Sequence, residues 1–303
     1  MSEMALSEMA LTDAALSRRY PPAAFRPEVD CALAPADSAG AVERNLSVVE
    51  KLANLEGLRR GLILAAIAIA WQLYATYLDN PLLLPTFTET LRALGDAITS
   101  GELAPRIWGS LQVLLIGYGM GVLLAGMLTS FAVSNRIGSD LLSTLTSMFN
   151  PLPAIALLPL AMLWFGLGIP SLVFVIVHSV LWPVALNTQT GFLAVPETLR
   201  MAGRNCGLKG VSYVWRILVP AAFPSILAGL KIGWAFAWRT LIAAELVFGV
   251  ASRSGGLGWF IFEHRNELQT DYVFAGLMTV VLIGLFVEEV IFRTIAHLTV
   301  QRW

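Results

Sequence analysis

The sequence predicts an all-α membrane protein with about six transmembrane helices. Of its 303 residues, 56% are hydrophobic and only 14% are charged, whereas an ordinary soluble domain carries roughly 25% charged residues. So few charges cannot cover a water-soluble surface. Apolar segments long enough to cross a bilayer recur along the chain, and the loops between them alternate in charge as loops on opposite sides of a membrane do.

Net charge and cysteine content exclude several other classes of protein. The formal net charge is −1, and no run of Lys and Arg interleaved with aromatic residues offers a nucleic-acid surface. Cys31 and Cys206 lie far apart, which predicts neither a disulfide nor a metal site. The acidic, Ala-rich start lacks the basic region and apolar core of a signal peptide. We therefore expect no metal ion and no nucleic-acid partner.

Residues 1–57 are predicted to form a cytoplasmic tail that is largely disordered, and residues 58–303 a transmembrane domain. The tail is polar and rich in alanine with scattered prolines, a composition that buries too little apolar surface to fold alone. It opens with a short duplication, residues 2–6 followed by residues 7–11. A regulatory or docking role is the alternative to a simple disordered tail.

The predicted spans come from apolar segments that reach across the hydrocarbon core at 1.5 Å per residue with their flanks. They are residues 61–78, 111–133, 141–165, 171–190, 223–248 and 272–298. Residues 79–106, between the first two spans, are predicted to hold a short amphipathic helix outside the membrane. In the loop at residues 191–220 a single acid, Glu197, stands against Arg200, Arg204, Lys209 and Arg216. The positive-inside rule places this loop, and with it both termini, in the cytoplasm.

Glycines and prolines mark where the spans pack and where they bend. In the second span Gly117, Gly121 and Ala125 recur every four residues, which lets a neighbouring helix approach closely. The third span contains Pro151, Pro153 and Pro159, so we expect a kinked or broken helix. A broken helix is tolerated in a membrane where it faces protein or a water-filled cavity, which makes this segment a candidate pathway wall. Trp182 and Pro183 suggest a bend in the fourth span.

The cytoplasmic loop is predicted to form two short helices around a glycine, followed by a proline stop, over residues 196–224. Pro196 suits a first helical turn and Gly207 can adopt the left-handed conformation that closes a helix. More apolar side chains lie here than a free aqueous loop needs, so a partner surface is expected. They are Leu199, Cys206, Leu208, Tyr213 and Trp215.

This loop resembles the cytoplasmic signature of the inner-membrane permeases of binding-protein-dependent ABC importers. The matching residues are Met201-Ala202-Gly203, then Gly207, then Ile217-Leu218-Val219-Pro220. The glycine, isoleucine and proline are kept, whereas Met201 replaces the family's glutamate and Gly203 its second alanine.

The resemblance covers residues 61–303 and narrows to the nitrate, sulfonate and taurine branch of these permeases. The segments that carry it are Pro81-Leu82-Leu83-Leu84-Pro85, Pro151-Leu152-Pro153-Ala154, Leu157-Leu158-Pro159-Leu160, Trp164-Phe165-Gly166-Leu167-Gly168, Ala237-Trp238-Arg239, Ala243-Ala244-Glu245 and Gly255-Gly256-Leu257-Gly258. It implies a type I importer permease fold in a bacterial inner membrane, with a small anion such as an alkanesulfonate, taurine or nitrate as cargo. Thiamine-precursor pyrimidines and bicarbonate are the alternatives within this branch.

The resemblance also implies partners. They are a second permease, which gives a homodimer or a pair of related permeases, a dimer of cytoplasmic ATPase subunits and a periplasmic substrate-binding protein. The loop helix would sit in a groove of the ATPase and transmit its closure to the membrane helices. The residues expected at this coupling contact are Pro196, Leu199, Arg200, Met201, Ala202, Gly203, Arg204, Gly207 and Leu208. No Walker motif occurs in the chain, so ATP and magnesium are expected on the ATPase and no cofactor on this chain.

Candidates for the translocation pathway are Pro153, Met162, Phe165, Trp182, Arg239 and Glu245. Ionisable residues in a span are costly enough to suggest function, so we expect Arg239 to face the pathway or to pair with Glu245. The alternative is that both are interfacial residues that fix the position of the helix. His178 and Ser179 are adjacent on a helix and therefore point in different directions, so no catalytic residue is predicted.

Two other functions fit a six-span protein. An ion-coupled secondary transporter should show inverted repeats and midplane acids, and neither is clear in the sequence. A channel should show a charged ring or a filter-like loop, and no such segment stands out. The sequence therefore favours an ATP-driven importer subunit.

Overall fold

The computed structural model describes residues 56–248 and 255–299, and every regular element in these ranges is helical. Helices α1 to α6 are Glu56–Leu78, Phe87–Thr99, Leu103–Ser134, Arg136–Phe149, Leu158–Phe165 and Ile169–Leu193, with a 3₁₀ turn at Ala154–Leu157 before α5. Helices α7 to α12 are Glu197–Asn205, Gly210–Tyr213, Val219–Phe248, Leu257–Asn266, Thr270–Phe286 and Arg293–Thr299. Residues 1–55 of the predicted tail lie outside the described ranges.

Within the described residues, five helical segments are long and apolar enough to cross a membrane. They are Gly57–Leu78, Leu103–Ser134, Ile169–Leu193, Val214–Val247 and Thr270–Thr299. A sixth is obtained if α4 and the segment Ala154–Phe165, which meet at an angle of 87°, are counted as one span. This agrees with about six predicted spans and confirms the break expected at Pro151 and Pro153.

The second span begins earlier than its apolar pattern indicates, at Leu103 instead of residue 111. The added turns are tolerated because Arg106 is paired, with Glu102 at 3.1 Å and Glu263 at 2.8 Å. Hydropathy marks the apolar part of a helix, whereas the helix itself continues as far as its polar groups find partners.

Helices α3, α6 and α9 form the core of the described transmembrane part, and small residues set their spacing. A β-carbon at Gly117 would lie 2.7 Å from Ile176 Cγ2, and one at Gly121 would lie 2.7 Å from Val180 Cβ. Ala125 is buried. The close approach predicted from the four-residue spacing is confirmed, and α6 is the neighbouring helix.

Helix α2 is the amphipathic helix predicted between the first two spans. Thr86 caps it, since the Glu89 N–H donates to Thr86 Oγ1 at 3.2 Å and the Thr86 N–H donates to Glu89 Oε2 at 2.8 Å. The Thr86 N–H, followed by the Thr86 side chain, hydrogen-bonds the Glu89 carboxylate and holds the pKa of Glu89 below its usual range. The helix buries Thr90, Ala93 and Ala97 on one face.

The predicted proline stop after the cytoplasmic loop is wrong. Helix α8 continues through a π-helical segment, Val214–Leu218, into α9, and Pro224 lies inside α9. Pro220 follows the π-helical segment and lies within this continuous helix. Helix α6 likewise continues through Pro183.

Candidate functional site

A cavity of about 360 Å³ lies where the broken third span meets α6 and α9. The segment at the break contributes Asn150, Pro151, Leu152, Pro153, Ala154 and Ile155. Helix α6 contributes His178, Ser179, Trp182 and Pro183, and helix α9 contributes Phe236, Arg239, Thr240 and Ala243. Among these described lining residues Arg239 is the one permanent charge. The walls are otherwise mostly apolar, which is the usual character of a small-ligand site.

Arg239 lines this cavity from α9. Its Nε donates to the Ala235 carbonyl at 3.1 Å, and its Cζ lies 4.9 Å from the centroid of the Phe236 ring. The side chain is exposed, and no carboxylate of the described residues lies within ion-pairing distance of it. The cation is therefore held in place by a carbonyl and a ring, and its charge stays available.

The alternative that Arg239 pairs with Glu245 is wrong. Six residues along an α-helix correspond to about 600° of rotation, so the two side chains leave α9 on faces roughly 120° apart. Glu245 is only 2% exposed and does not line the cavity.

Glu245 instead joins three helices. Ser110 Oγ of α3 lies 2.8 Å from both carboxylate oxygens and donates to the carboxylate. The Gly258 N–H in the first turn of α10 donates to Oε2 at 2.8 Å, and the Leu257 N–H donates to Ser110 Oγ at 2.8 Å. A β-carbon at Gly256 would overlap the carboxylate. A carboxylate at a helix N-terminus is favourable for both hydrogen bonding and the helix dipole, so Glu245 fixes α10 against α3 and α9.

The six pathway candidates therefore separate into two groups. Pro153, Trp182 and Arg239 come together around the cavity, whereas Met162, Phe165 and Glu245 are not part of its lining. Met162 packs against the main core. The Phe165 ring is exposed and contacts the rings of Trp164 and Phe174.

Sequence reasoning missed Phe149, the last residue of α4. Its ring stacks on Trp182 with a centroid distance of 5.3 Å and an interplanar angle of 13°. It also meets His178 edge-on at 6.2 Å. The available signal was an aromatic residue placed directly before the proline-broken segment, but its contacts with α6 depend on the tertiary fold.

The cytoplasmic loop is built around α7. Pro196 precedes the helix, and Gly207 follows it with a φ of +74°, which confirms the left-handed closure predicted there. Gly203 is buried, and a β-carbon at this position would lie 2.9 Å from Ile217 Cγ1 and 3.2 Å from Tyr213 Cε2. The glycine that replaces the signature's second alanine is therefore required by the packing of α7 on the π-helical segment.

Arg200 also faces the membrane domain. Its Nη2 donates to the Phe192 carbonyl at 2.6 Å and its Nε donates to the Val195 carbonyl at 3.1 Å. These carbonyls lie at and just beyond the C-terminus of α6, where backbone acceptors lack helical partners. Arg200 thus ties α7 to the helix that carries His178 and Trp182.

The nine coupling candidates differ in how far they are exposed to solvent. Gly203 is buried, and Arg200 and Leu208 are half-buried. The exposed candidates are Pro196, Leu199, Met201, Ala202, Arg204 and Gly207. Leu199 is 38% exposed, Met201 49% and nearby Trp215 68%. These three exposed apolar side chains are here called the loop patch. They project from more than one face of the loop, because Leu199 and Met201 lie two residues apart on α7, and each is available for protein contact.

A bundle of apolar helices with a cavity at a broken span and a helical loop with an exposed apolar surface defines a membrane transport component. Residues 117–293 match the family described as the binding-protein-dependent transport system inner membrane component. The match covers more than half of the chain, and the chain belongs to this family.

Curated relatives extend the match beyond that segment. The taurine transport system permease protein of Escherichia coli is 30% identical over 234 residues, covering 75% of this chain and 83% of the relative. A second E. coli relative, provisionally named an aliphatic sulfonates transport permease protein, is 31% identical, covering 72% and 82%. The nitrate import permease protein of Synechocystis is 28% identical, covering 77% and 86%.

The family and these relatives establish the general role of the chain. It is a multi-pass inner-membrane permease subunit of an ABC importer with the type I permease fold. It is a transport subunit and not an enzyme, because ATP hydrolysis in such importers resides in a separate subunit. The resemblance read from the sequence is confirmed.

Proposed function

We propose that this permease moves a small anion, such as an alkanesulfonate, taurine or nitrate, into a bacterial cytoplasm. The observation that carries the proposal is the position of Arg239. Its cation lines a largely apolar cavity between the broken third span, α6 and α9, and no carboxylate pairs with it among the described residues. Ionisable residues inside a span usually face a bundle interior or a water-filled cavity and serve the transported species.

The names of the relatives support the same class of cargo. They are described as permeases for taurine, for aliphatic sulfonates and for nitrate, all of which carry an anionic oxygen-bearing group. Membership of an ABC importer family favours ATP as the energy source over the ion-coupled mechanism considered from the sequence.

We further propose the assembly in which the chain works. A second copy of the permease would complete the membrane unit as a homodimer, and two ATPase subunits would bind the loop patch and the exposed part of α7. ATP and magnesium would be bound by those subunits, and this chain would bind no cofactor. A periplasmic binding protein would deliver the anion. Arg200, Arg204 and Lys209 near α7 support a cytoplasmic position for the loop and hence for both termini.

Growth of a deletion strain tests the cargo. The strain lacking this gene is grown with taurine, methanesulfonate or ethanesulfonate as the only sulfur source, and separately with nitrate as the only nitrogen source. We expect lost growth on at least one of these anions, restored by the intact gene. An R239Q gene should restore growth poorly although its protein reaches the membrane.

The control is a second variant, K231Q. Lys231 also lies in α9 but pairs with Glu288 at 2.8 Å and does not line the cavity. It should restore growth to near the wild-type level. Normal growth of the deletion strain on every anion, in a strain without another importer for them, would refute the proposed cargo. ATP-independent uptake that collapses with the ion gradient would refute the mechanism.

A further inference from the structure

Three aromatic rings pack together beside the cavity, and two of them, His178 and Trp182, line it. His178 and Trp182 are four residues apart on α6 and therefore project from the same face. Phe149 lies on both, flat against Trp182 with centroids 5.3 Å apart and edge-on to His178 at 6.2 Å. The two α6 rings lie 6.0 Å apart.

The polar atoms of these rings have no protein partner. Both ring nitrogens of His178 and the indole Nε1 of Trp182 are buried without a hydrogen bond in the described part of the chain. Trp182 as a whole is only 7% exposed. A buried hydrogen-bond donor without an acceptor is costly, and such groups call for an explanation. A ligand that accepts hydrogen bonds in another conformation of the protein provides one.

Arg239 supplies the charge that such a ligand requires. It lines the same cavity from α9, and its only described contacts are the Ala235 carbonyl and the Phe236 ring. A guanidinium group has five N–H donors, of which the carbonyl uses one. The remaining donors suit a planar or tetrahedral oxyanion.

We propose that this cavity binds a monovalent oxyanion, with Arg239 as the counter-charge and the N–H groups of Trp182 and His178 as donors. These donors turn toward the anion when Phe149 moves away and no longer fixes the two rings. The proposal rests on the proposed function, because the anion is the cargo in transit. Phe149 is then the lid of the site, and the conformation described here is one in which the donors are covered.

The position of Phe149 in the fold supports its role as a lid. It is the last residue of α4 and adjoins the break where the chain turns by 87°. Pro151 and Pro153 follow, so the helical hydrogen-bond ladder is interrupted at this point. A change in the angle between α4 and the next segment would shift the ring while α6 stays packed on α3. Bistable packings of this kind are the usual basis of gating.

The lining also indicates which oxyanion fits best. Pro153, Ile155 and Phe236 provide apolar walls beside the cation, and no carboxylate occurs in the described lining. A short alkanesulfonate would place its sulfonate at Arg239 and its alkyl group on these walls. Taurine carries an ammonium group that would find no counter-charge here. We therefore expect methanesulfonate and ethanesulfonate to bind more tightly than taurine.

The test measures anion-dependent stabilisation of the purified importer, permease with its ATPase subunits, because a ligand that binds the folded state raises the unfolding midpoint. The midpoint is recorded in sodium methanesulfonate and in sodium chloride at equal ionic strength. We expect a higher midpoint in methanesulfonate for the wild type, lost in R239Q and reduced in Trp182→Phe, which keeps the ring stack but lacks the N–H. Taurine should give a smaller shift.

Trp234→Phe is the matched control. The Trp234 Nε1 also lacks a partner among the described residues, but its ring packs edge-on against Tyr118 and does not line the cavity. This variant should keep the full methanesulfonate shift. An equal shift in R239Q and the wild type, or no shift in the wild type, would overturn the proposed site.

Phe149→Ala tests the lid separately. Removing the Phe149 ring frees the His178 and Trp182 rings to turn their donors toward the anion, so methanesulfonate should reach half of its maximal shift at a several-fold lower concentration. An unchanged or higher concentration would overturn the role of Phe149. If the shift depends on Arg239 but the deletion strain grows normally on every anion, the site stands and the proposed cargo fails. If growth on an anion depends on the gene but the methanesulfonate shift is the same in R239Q and the wild type, the proposed cargo stands and the site fails.

Discussion

Single residues show that a charge within a span can have one of two opposite roles. Arg239 and Glu245 are six residues apart on α9, and one faces a cavity while the other is buried among hydrogen-bond donors. The carboxylate is satisfied by Ser110 and by the N-terminus of α10. The guanidinium group has no such partner, and this difference in pairing separates a functional candidate from a structural one.

Replacing Glu245 with leucine is expected to destabilise the permease. The Gly258 N–H and the Ser110 hydroxyl would lose their acceptor in a buried site, at a cost of about 1–3 kcal/mol for each group left unpaired. The thermal midpoint of purified E245L should fall clearly, and E245Q, which keeps one acceptor oxygen, should fall less. E288Q, which removes an exposed acid, is the control. An E245L midpoint equal to that of the wild type would contradict the clamp.

At the scale of elements, helix α6 links the cavity with the cytoplasmic loop. Helix α6 begins at Ile169, carries His178 and Trp182 and ends at Leu193, where Arg200 of α7 binds its terminal carbonyls. The loop helix and the cavity are therefore connected by one continuous helix. Helix α6 in turn is held on α3 by the glycines that admit Ile176 and Val180.

Arg200→Ala is expected to uncouple transport from ATP hydrolysis. It removes two charge-assisted hydrogen bonds between α7 and α6, but leaves the exposed loop patch in place. In vesicles, the amount of anion imported per ATP hydrolysed should fall several-fold while the ATPase stays bound. Arg204→Ala, an exposed arginine on the same helix, should keep that ratio. An unchanged ratio in R200A would show that the link carries no coupling.

Gly121→Val tests the contact between α3 and α6. Its β-carbon would fall 2.7 Å from Val180 Cβ, inside van der Waals contact. Overpacking of this kind typically costs about 1–3 kcal/mol, so the yield and the thermal midpoint should both fall. Gly126→Val is the control, since a β-carbon at this position of the same helix meets nothing within 4 Å. Equal midpoints for the two variants would argue against close packing at Gly121.

The whole molecule presents the loop patch to a partner. Leu199, Met201 and Trp215 are exposed, whereas Gly203 of α7 is buried against Tyr213 and Ile217. In the proposed assembly this surface binds the ATPase, and an exposed tryptophan is the most favourable anchor for such a contact.

Trp215→Ala should therefore weaken assembly. Loss of an anchor worth about 2 kcal/mol would lower affinity more than tenfold, so less ATPase should co-purify with the tagged permease. Trp164→Ala provides the comparison, because Trp164 on α5 is 58% exposed but lies outside the loop. Full ATPase recovery with W215A would exclude Trp215 from the interface.

The sequence by itself determined the features that depend on local pattern. Apolar length predicted about six spans, prolines predicted the break after α4, four-residue glycine spacing predicted a close helix contact, and Gly207 predicted the end of α7. These features follow from the composition and backbone limits of neighbouring residues. The proline stop predicted after the cytoplasmic loop was wrong, because a π-helical segment continues the helix past Pro220 and Pro224.

Only the tertiary structure decided which side chains meet. Glu245 binds Ser110, 135 positions away in the chain, and the Phe149 ring covers rings of α6 across the turn at the broken span. Arg200 binds the end of α6 and Gly203 packs against Tyr213 and Ile217, although both lie within a signature expected to face a partner. Contacts between residues distant in sequence depend on how whole helices pack, and no local period encodes that arrangement.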